Sequence, residues 1–347
     1  MVKITHFPER IFLERGVFGQ SANFEFRLQT DSTDVMELEE LTADGFDKQD
    51  QLLFRLPLNN WGIVPSISVV FERKLLPSRI LEIFNPLADY PLDYPIHRLR
   101  YSFCFRTEKG DHVRSEISVE PMIYEQKAAL ILPFSGTCLV TDGHNFLSHH
   151  RLNFPLTHPL IQQIGITGNN SRFAYDFVLL DNEFKMFKNT PRRNEDFFCW
   201  GKPVLCPGEG RISSVASEVP DNPLYEPPPF DEETHIRNPD AAMERHVGNH
   251  VIIDHGNDEF SVVAHMQKDS VRAKAGDRVV EGETIGAIGN SGDSGSPHIH
   301  YQLQNGRDLR RSEGLPSRFR RFDLILGNRI RRLEGICPST GMIIKTK

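Results

Sequence analysis

Apolar and polar positions alternate in short runs along most of this chain, with Pro and Gly marking the breaks. In residues 24–135 the runs include Ile67–Phe71, Tyr101–Phe105 and Ala129–Pro133, and Lys109, Gly110 and Asp111 form a turn between two of them. Side chains two apart share one face of a strand, so such runs predict half-buried β-strands. Their spacing and turn signals predict a β-sandwich-like N-terminal module. The acidic stretch 31–50 offers the competing choice of a short helix. The second half continues the pattern with strands at 204–206, 211–215, 250–253 and 260–265. Residues 276–286 carry two brief apolar segments bracketed by glycines, a hairpin pattern. Further strands are expected at 322–326 and 341–344. Residues 220–248 interrupt the series: Pro227, Pro228 and Pro229 cannot donate ladder hydrogen bonds, and a long loop flanked by Tyr225 and Phe230 is predicted there. The fold class is therefore all-β.

One run carries chemistry. Residues 286–301 read Gly-Ala-Ile-Gly-Asn-Ser-Gly-Asp-Ser-Gly-Ser-Pro-His-Ile-His-Tyr, a glycine-rich loop entering a strand with His298 and His300 on the same face. Imidazole serves both as a neutral metal ligand and as an acid or base near neutral pH, the two functions that metal-assisted hydrolysis combines. The glycines do not make a phosphate loop, because the Lys-Ser/Thr pair is missing and a strand follows where a helix would be needed. They instead suit a backbone that approaches a substrate closely, with Asp293 and Ser294 as contacts or as solvated tip residues.

Several other motifs precede this strand in a fixed order. They are the segment around Gly143, His149 and His150, the stretch Ser-Arg-Phe-Ala-Tyr-Asp ending at Asp176, the turn 201–210, residues 220–222, and the run 248–265 ending at His265. Together they resemble the lysostaphin-type zinc metallopeptidases (the β-lytic or glycyl-glycine endopeptidase family) over residues 135–306. The resemblance implies an antiparallel β-sheet or barrel-like catalytic domain and a zinc ion with three protein ligands and an open position for water. It assigns Asp176 and His300 as ligands. The third, a histidine, stands four residues before the aspartate in most of the family, but that position here is Arg172. A subset places it further upstream, which points to His150, with an insertion at 152–168 and with His149 and His158 left open. Proton transfer and stabilisation of the oxyanion then fall to His265 and His298. His250 and His255 read as structural. The implied substrate is a peptide, glycine-containing or of the peptidoglycan cross-bridge type, and the alternative is a degenerate relative that binds without turnover.

Length divides the chain into an N-terminal module (1–134), the peptidase-like region (135–306) and an extension packing back on it (307–347). A net charge of −7 without a basic stripe argues against nucleic acid as a partner. The Arg-rich stretch 307–321 is interleaved with acids and reads as a solvated face. No apolar run reaches the ~20 residues of a membrane-spanning helix. The first ten residues lack the apolar core of a secretory signal, so a cytoplasmic location is expected over export. The five cysteines are scattered, with no Cys-x-x-Cys pair, and read as buried thiols.

Overall fold

A computed structural model of the protein describes residues 1–145, 148–152, 154–229 and 231–346. Two compact units are present, Met1–Tyr124 and Glu125–Lys347. Both are built mainly of antiparallel strands, as the alternation predicts.

In Met1–Tyr124, a three-stranded sheet (Val2–Phe7, Glu25–Thr30, Leu81–Phe84) faces a larger one containing Met36–Phe46, Leu52–Asn59, Arg98–Thr107 and His112–Val119. Aromatic rings fill the space between them. Phe26 meets Tyr101 and Phe103 edge-on at 4.8 and 5.0 Å between centroids, the arrangement that aromatic quadrupoles favour. Two local expectations fail here. The acidic stretch holds the strand Met36–Phe46 and no helix, because Met36, Leu38, Leu41 and Ala43 are buried while Glu37, Glu39 and Glu40 remain partly exposed. The run 67–71 is not a strand: Ser66–Val69 form a 3-10 turn, in which both the Ser68 amide and its hydroxyl donate to the Pro65 carbonyl. A serine that bonds its own local backbone competes with a ladder.

In Glu125–Lys347 the dominant sheet runs in the order Arg278–Val279, Gly210–Ala216, Asn249–Asp254, Phe260–Met266, Ile299–Gln304, Tyr175–Leu179, Thr137–Asp142, Ile343–Lys345, Phe319–Leu326, Arg329–Ile336. Residues 319–345 thus extend the same sheet. Residues 129–133 form no strand beyond an isolated bridge from Leu130 to Phe319. The segment 276–286 is not a hairpin, because Arg278–Val279 pairs with Gly210–Ala216 while Thr284–Ala287 pairs with Pro203–Leu205. Nor is 220–248 wholly a loop. It carries helices Glu232–Arg237 and Pro239–Val247, capped by Asp231 and Asn238, whose side chains accept from Thr234 N and Ala241 N. Pro239 occupies the first turn, where its missing N–H costs nothing. Phe230 and the pair Phe146 and Leu147 lie outside the described residues.

All five cysteines are buried, and Cys104, Cys138, Cys199 and Cys206 are free thiols. Among the described residues no helix is long and apolar enough to cross a membrane.

Candidate metal centre

Three adjacent central strands of the larger sheet carry one row of polar residues, which ends at Ala264 on a fourth. Asp142 stands opposite Asp176, Asp176 opposite His300, and His300 opposite Ala264. His298 precedes His300 by one two-residue step and so faces the same side. Alternation alone would turn His265 to the other face. Its φ of +58° breaks the alternation, and its ring lies 4.9 Å from that of His298 and 5.4 Å from that of His300. A left-handed conformation in a non-glycine residue costs about 1–3 kcal/mol and persists where the surroundings enforce it. Here the Ser291 carbonyl accepts from His265 Nδ1 at 2.8 Å.

Asp176 is the hub. Its Oδ1 lies 3.2 Å from His300 Nδ1 and 3.4 Å from His298 Nε2, and its Oδ2 lies 3.6 Å from His150 Nε2. The ring of His150 is 4.8 Å from that of His300. All five residues assigned from the sequence (His150, Asp176, His265, His298 and His300) therefore converge. His149 is adjacent but exposed, and its Nδ1 contacts the Asp142 carboxylate. His158 is elsewhere, accepting from Leu160 N as the cap of helix Pro159–Gln163. Arg172, in the place where a histidine is commoner, is fully buried and its Nε donates to Glu313. His250 and His255 are held by the carbonyls of Gly248 and Glu209, each 2.7 Å away.

Burial and charge set the protonation states. Burial draws the His150 imidazole down to about 3, so it is neutral across the working range. Burial, with His298 and His300 nearby, also holds His265 well below its usual value. Burial opposes ionisation of Asp176, but the facing imidazoles of His150 and His298 outweigh it and keep the carboxyl well below the carboxylate range. At His298 burial pulls downward, yet the Asp176 carboxylate prevails and the ring titrates above its usual value. Neutral imidazoles beside an ionised carboxylate are the forms that ligate metals.

Two separations at Asp176 have the size that neighbouring ligands of one divalent ion need, from Oδ1 to His300 Nδ1 and from Oδ2 to His150 Nε2. Ligand bonds of about 2.0–2.1 Å imply ligand-to-ligand edges of about 3.3 Å, and the separations around Asp176 are 3.2 and 3.6 Å. His150 Nδ1 is buried without a hydrogen-bond partner and faces Asp142 Oδ2 at 3.4 Å. Among the described residues, one atom each of Asp142, His149, His150 and Asp176 also lie within 4.8 Å of one another.

Sequence reasoning missed the residues behind these rings. Asp142 accepts from the Gly143 and His149 amides at 2.8 and 3.0 Å. The Ser296 carbonyl accepts from His298 Nδ1 at 2.8 Å, and Gln302 Oε1 lies 2.8 Å from His300 Nε2. Of these only Gln302 left a signal, as the next same-face position of the His298–His300 strand. Two loop glycines serve the chain's own packing: a Cβ at Gly289 would fall 2.2 Å from Gln267 N, and one at Gly292 2.5 Å from Gly248 N. Ser294 is buried against Asn290, whereas Asp293 is exposed. Residues 221–229 run beside this loop. Asn222 donates to the Gly292 and Ser294 carbonyls, Tyr225 N donates to Gly295 O, and Pro228, Pro229, Ala242, His246 and Asp293 line a hollow of about 330 Å³.

Residues 237–311 match the model of Peptidase family M23, a span that includes His265, His298 and His300. An uncharacterized metalloprotease of Haemophilus influenzae is 30% identical over 119 residues, which is 34% of this chain and 19% of that protein. The peptidoglycan DD-endopeptidase ShyC of Vibrio cholerae is 43% identical over 60 residues, 17% of this chain and 13% of that protein. Among solved structures, the catalytic domain of lysostaphin from Staphylococcus simulans aligns at 20% identity with a TM-score of 0.24, covering 42% of this chain and 77% of that domain. This chain thus spans under a fifth of the length of these two curated relatives. Over residues 237–311 the chain is similar to peptidase family M23, the lysostaphin-type family that its motifs resemble.

Proposed function

We propose that the unit Glu125–Lys347 is a zinc-dependent endopeptidase that hydrolyses peptide bonds, with glycine-containing or peptidoglycan cross-bridge peptides as its substrates. The observation that carries this reading is the convergence of three histidines, His150, His298 and His300, on one buried, ionised carboxylate, Asp176, with the ring of His265 beside two of them. His150, Asp176 and His300 would hold the ion. A bound zinc ion supplies Lewis acidity and a water whose pKa approaches 7.

The remaining work falls to residues of this chain. The Ser296 and Ser291 carbonyls only accept, so each fixes the hydrogen on Nδ1 of its partner ring and leaves Nε2 of His298 and of His265 for the reaction. His298, with its Nε2 beside Asp176, takes the proton of the attacking water and returns it to the leaving amine. His265, held neutral by burial with its hydrogen on Nδ1, offers an Nε2 lone pair as a second proton acceptor beside His298. Asp176 balances the positive charge that His298 acquires. The segment 221–229 borders the glycine loop and restricts which peptides reach the row.

The peptidoglycan DD-endopeptidase activity named for ShyC supports the substrate class. The test is to incubate the full zinc-loaded chain with isolated peptidoglycan and with glycine-containing peptides, and to count new amino termini. Cleavage by the wild type and none by Asp176→Ala is expected. Binding of these substrates with no cleavage by the wild type would replace the enzyme with a non-catalytic binding module.

A further inference from the structure

Behind His300 the strand Ile299–Gln304 carries a file of buried amides. Gln304 Nε2 donates to the Gly306 carbonyl at 2.6 Å, and Gln302 Nε2 donates to Gln304 Oε1 at 2.6 Å. Gln302 Oε1 then lies 2.8 Å from His300 Nε2. His300, Gln302 and Gln304 are each at most 7% exposed. They occupy alternate positions and so project from one face.

The direction of this file is fixed at one end. A backbone carbonyl only accepts, so Gln304 must turn its NH₂ to Gly306 and its oxygen to Gln302. That oxygen requires the NH₂ of Gln302, whose own oxygen is thereby turned to His300. Ser171 Oγ lies 3.1 Å from the same oxygen and is able to donate to it. His300 must then carry its hydrogen on Nε2 and, as a neutral ring, present a lone pair at Nδ1. Nδ1 is the nitrogen that stands 3.2 Å from Asp176 Oδ1. An ionised carboxylate has only acceptors. With His300 in the neutral form that a ligand takes, two acceptors face each other across that gap, and a cation between them would satisfy both.

We propose that Gln302 and Gln304 are positioning residues for the metal centre. They transmit the polarity of the Gly306 carbonyl along the strand and fix the His300 tautomer, so that Nδ1 is the ligating atom. The proposal rests on reading His300 as a zinc ligand.

Two substitutions at one position separate this role from simple packing. Gln302→Met fills the space without an acceptor. Gln302→Glu presents an oxygen to Nε2 whichever way it turns, but it buries a charge against Gln304 Oε1. Packing alone therefore favours methionine, whereas tautomer control favours glutamate. Zinc affinity is measured on the full chain by competition with a chelator, and the His300 tautomer is read from long-range ¹H–¹⁵N spectra of the zinc-loaded protein. Gln302→Met should bind zinc about 10–100-fold more weakly, the usual cost of losing an outer-shell partner, and Gln302→Glu should bind more tightly than Gln302→Met. The wild type and Gln302→Glu should show the hydrogen on Nε2. Wild-type affinity in Gln302→Met, or weaker binding in Gln302→Glu than in Gln302→Met, overturns the proposal. If Gln302→Met does not fold, Gln304→Leu serves in its place: weakened binding supports the file and unchanged binding overturns it. A wild type that binds no zinc removes the underlying reading and the proposal together, whereas zinc binding with indifferent variants removes only the proposal.

Discussion

Replacing Asp142 with alanine tests whether the row is held from behind as well as from within. Asp142 is 3% exposed. Its carboxylate accepts the Gly143 amide at 2.8 Å and the His149 amide at 3.0 Å, touches His149 Nδ1, and faces His150 Nδ1 at 3.4 Å. Alanine leaves the buried Gly143 N–H without its acceptor, at about 1–3 kcal/mol. The partly exposed His149 N–H recovers some water and loses about 1 kcal/mol. The sum, about 2–4 kcal/mol, is a large share of the 5–15 kcal/mol typical of a folded protein. At about 2–4 °C per kcal/mol for a unit of this size, the metal-free chain should melt roughly 5–15 °C lower. Independently, a carboxylate behind a ligating imidazole is worth about 10–100-fold in metal affinity. The assay pairs thermal unfolding without metal with chelator competition for zinc. Asp142→Asn should recover part of the stability, because its side-chain oxygen still accepts from Gly143, but less of the affinity. A melting temperature and a zinc affinity both unchanged in Asp142→Ala would refute the assignment of Asp142 as a structural support of His150.

The two histidines of the glycine-loop strand should behave differently: His298→Ala keeps zinc but lowers turnover by about 10²–10⁴, while His300→Ala loses both. Equal zinc loss in the two would show that the roles are wrongly divided. Shortening residues 223–229 to a tight turn should leave zinc content alone and change the ranking of peptide substrates, and unchanged kinetics on every peptide would reduce the segment to a passive connector. In the N-terminal unit, the Arg55 guanidinium beside Asp44, joined by Arg100, holds the Asp44 carboxyl below its usual range despite burial. Because the folded pKa is the lower one, this stabilisation is complete above the unfolded value of about 3.9 and disappears as pH falls through the folded value. Unfolding curves of the full chain should therefore show wild type and Asp44→Asn converging below about pH 4, and a gap that widens on acidification would contradict the sign.

Much of this site was legible because strands impose a period of two. His298 and His300 declare a shared face by spacing alone, and Asp176 sits in a run, Tyr175–Leu179, apolar enough to be a buried central strand. His150 follows no period, since it belongs to the short 3-10 turn His150–Leu152, and only the family resemblance pointed to it. His265 reaches the row through a left-handed backbone that alternation cannot forecast. Asp142 was invisible because its partner strands are adjacent in space and distant in sequence. The helices Glu232–Arg237 and Pro239–Val247 were hidden behind the prolines at 227–229, although Asp231, Asn238 and Pro239 carry ordinary start signals. In the N-terminal unit, the β-branched residues at 67–70 suggested a strand, yet the bonds from Ser68 to the Pro65 carbonyl settled a 3-10 turn.

Metal analysis of the full chain, purified without added metal, tests the central claim most directly when run beside three variants. About one zinc per chain is expected, the stoichiometry of a single three-ligand site. Asp176→Ala and His150→Ala should lose most of it, and His149→Ala should lose much less. No zinc in the wild type, or greater loss from His149→Ala than from His150→Ala, would contradict a centre built on His150, Asp176 and His300.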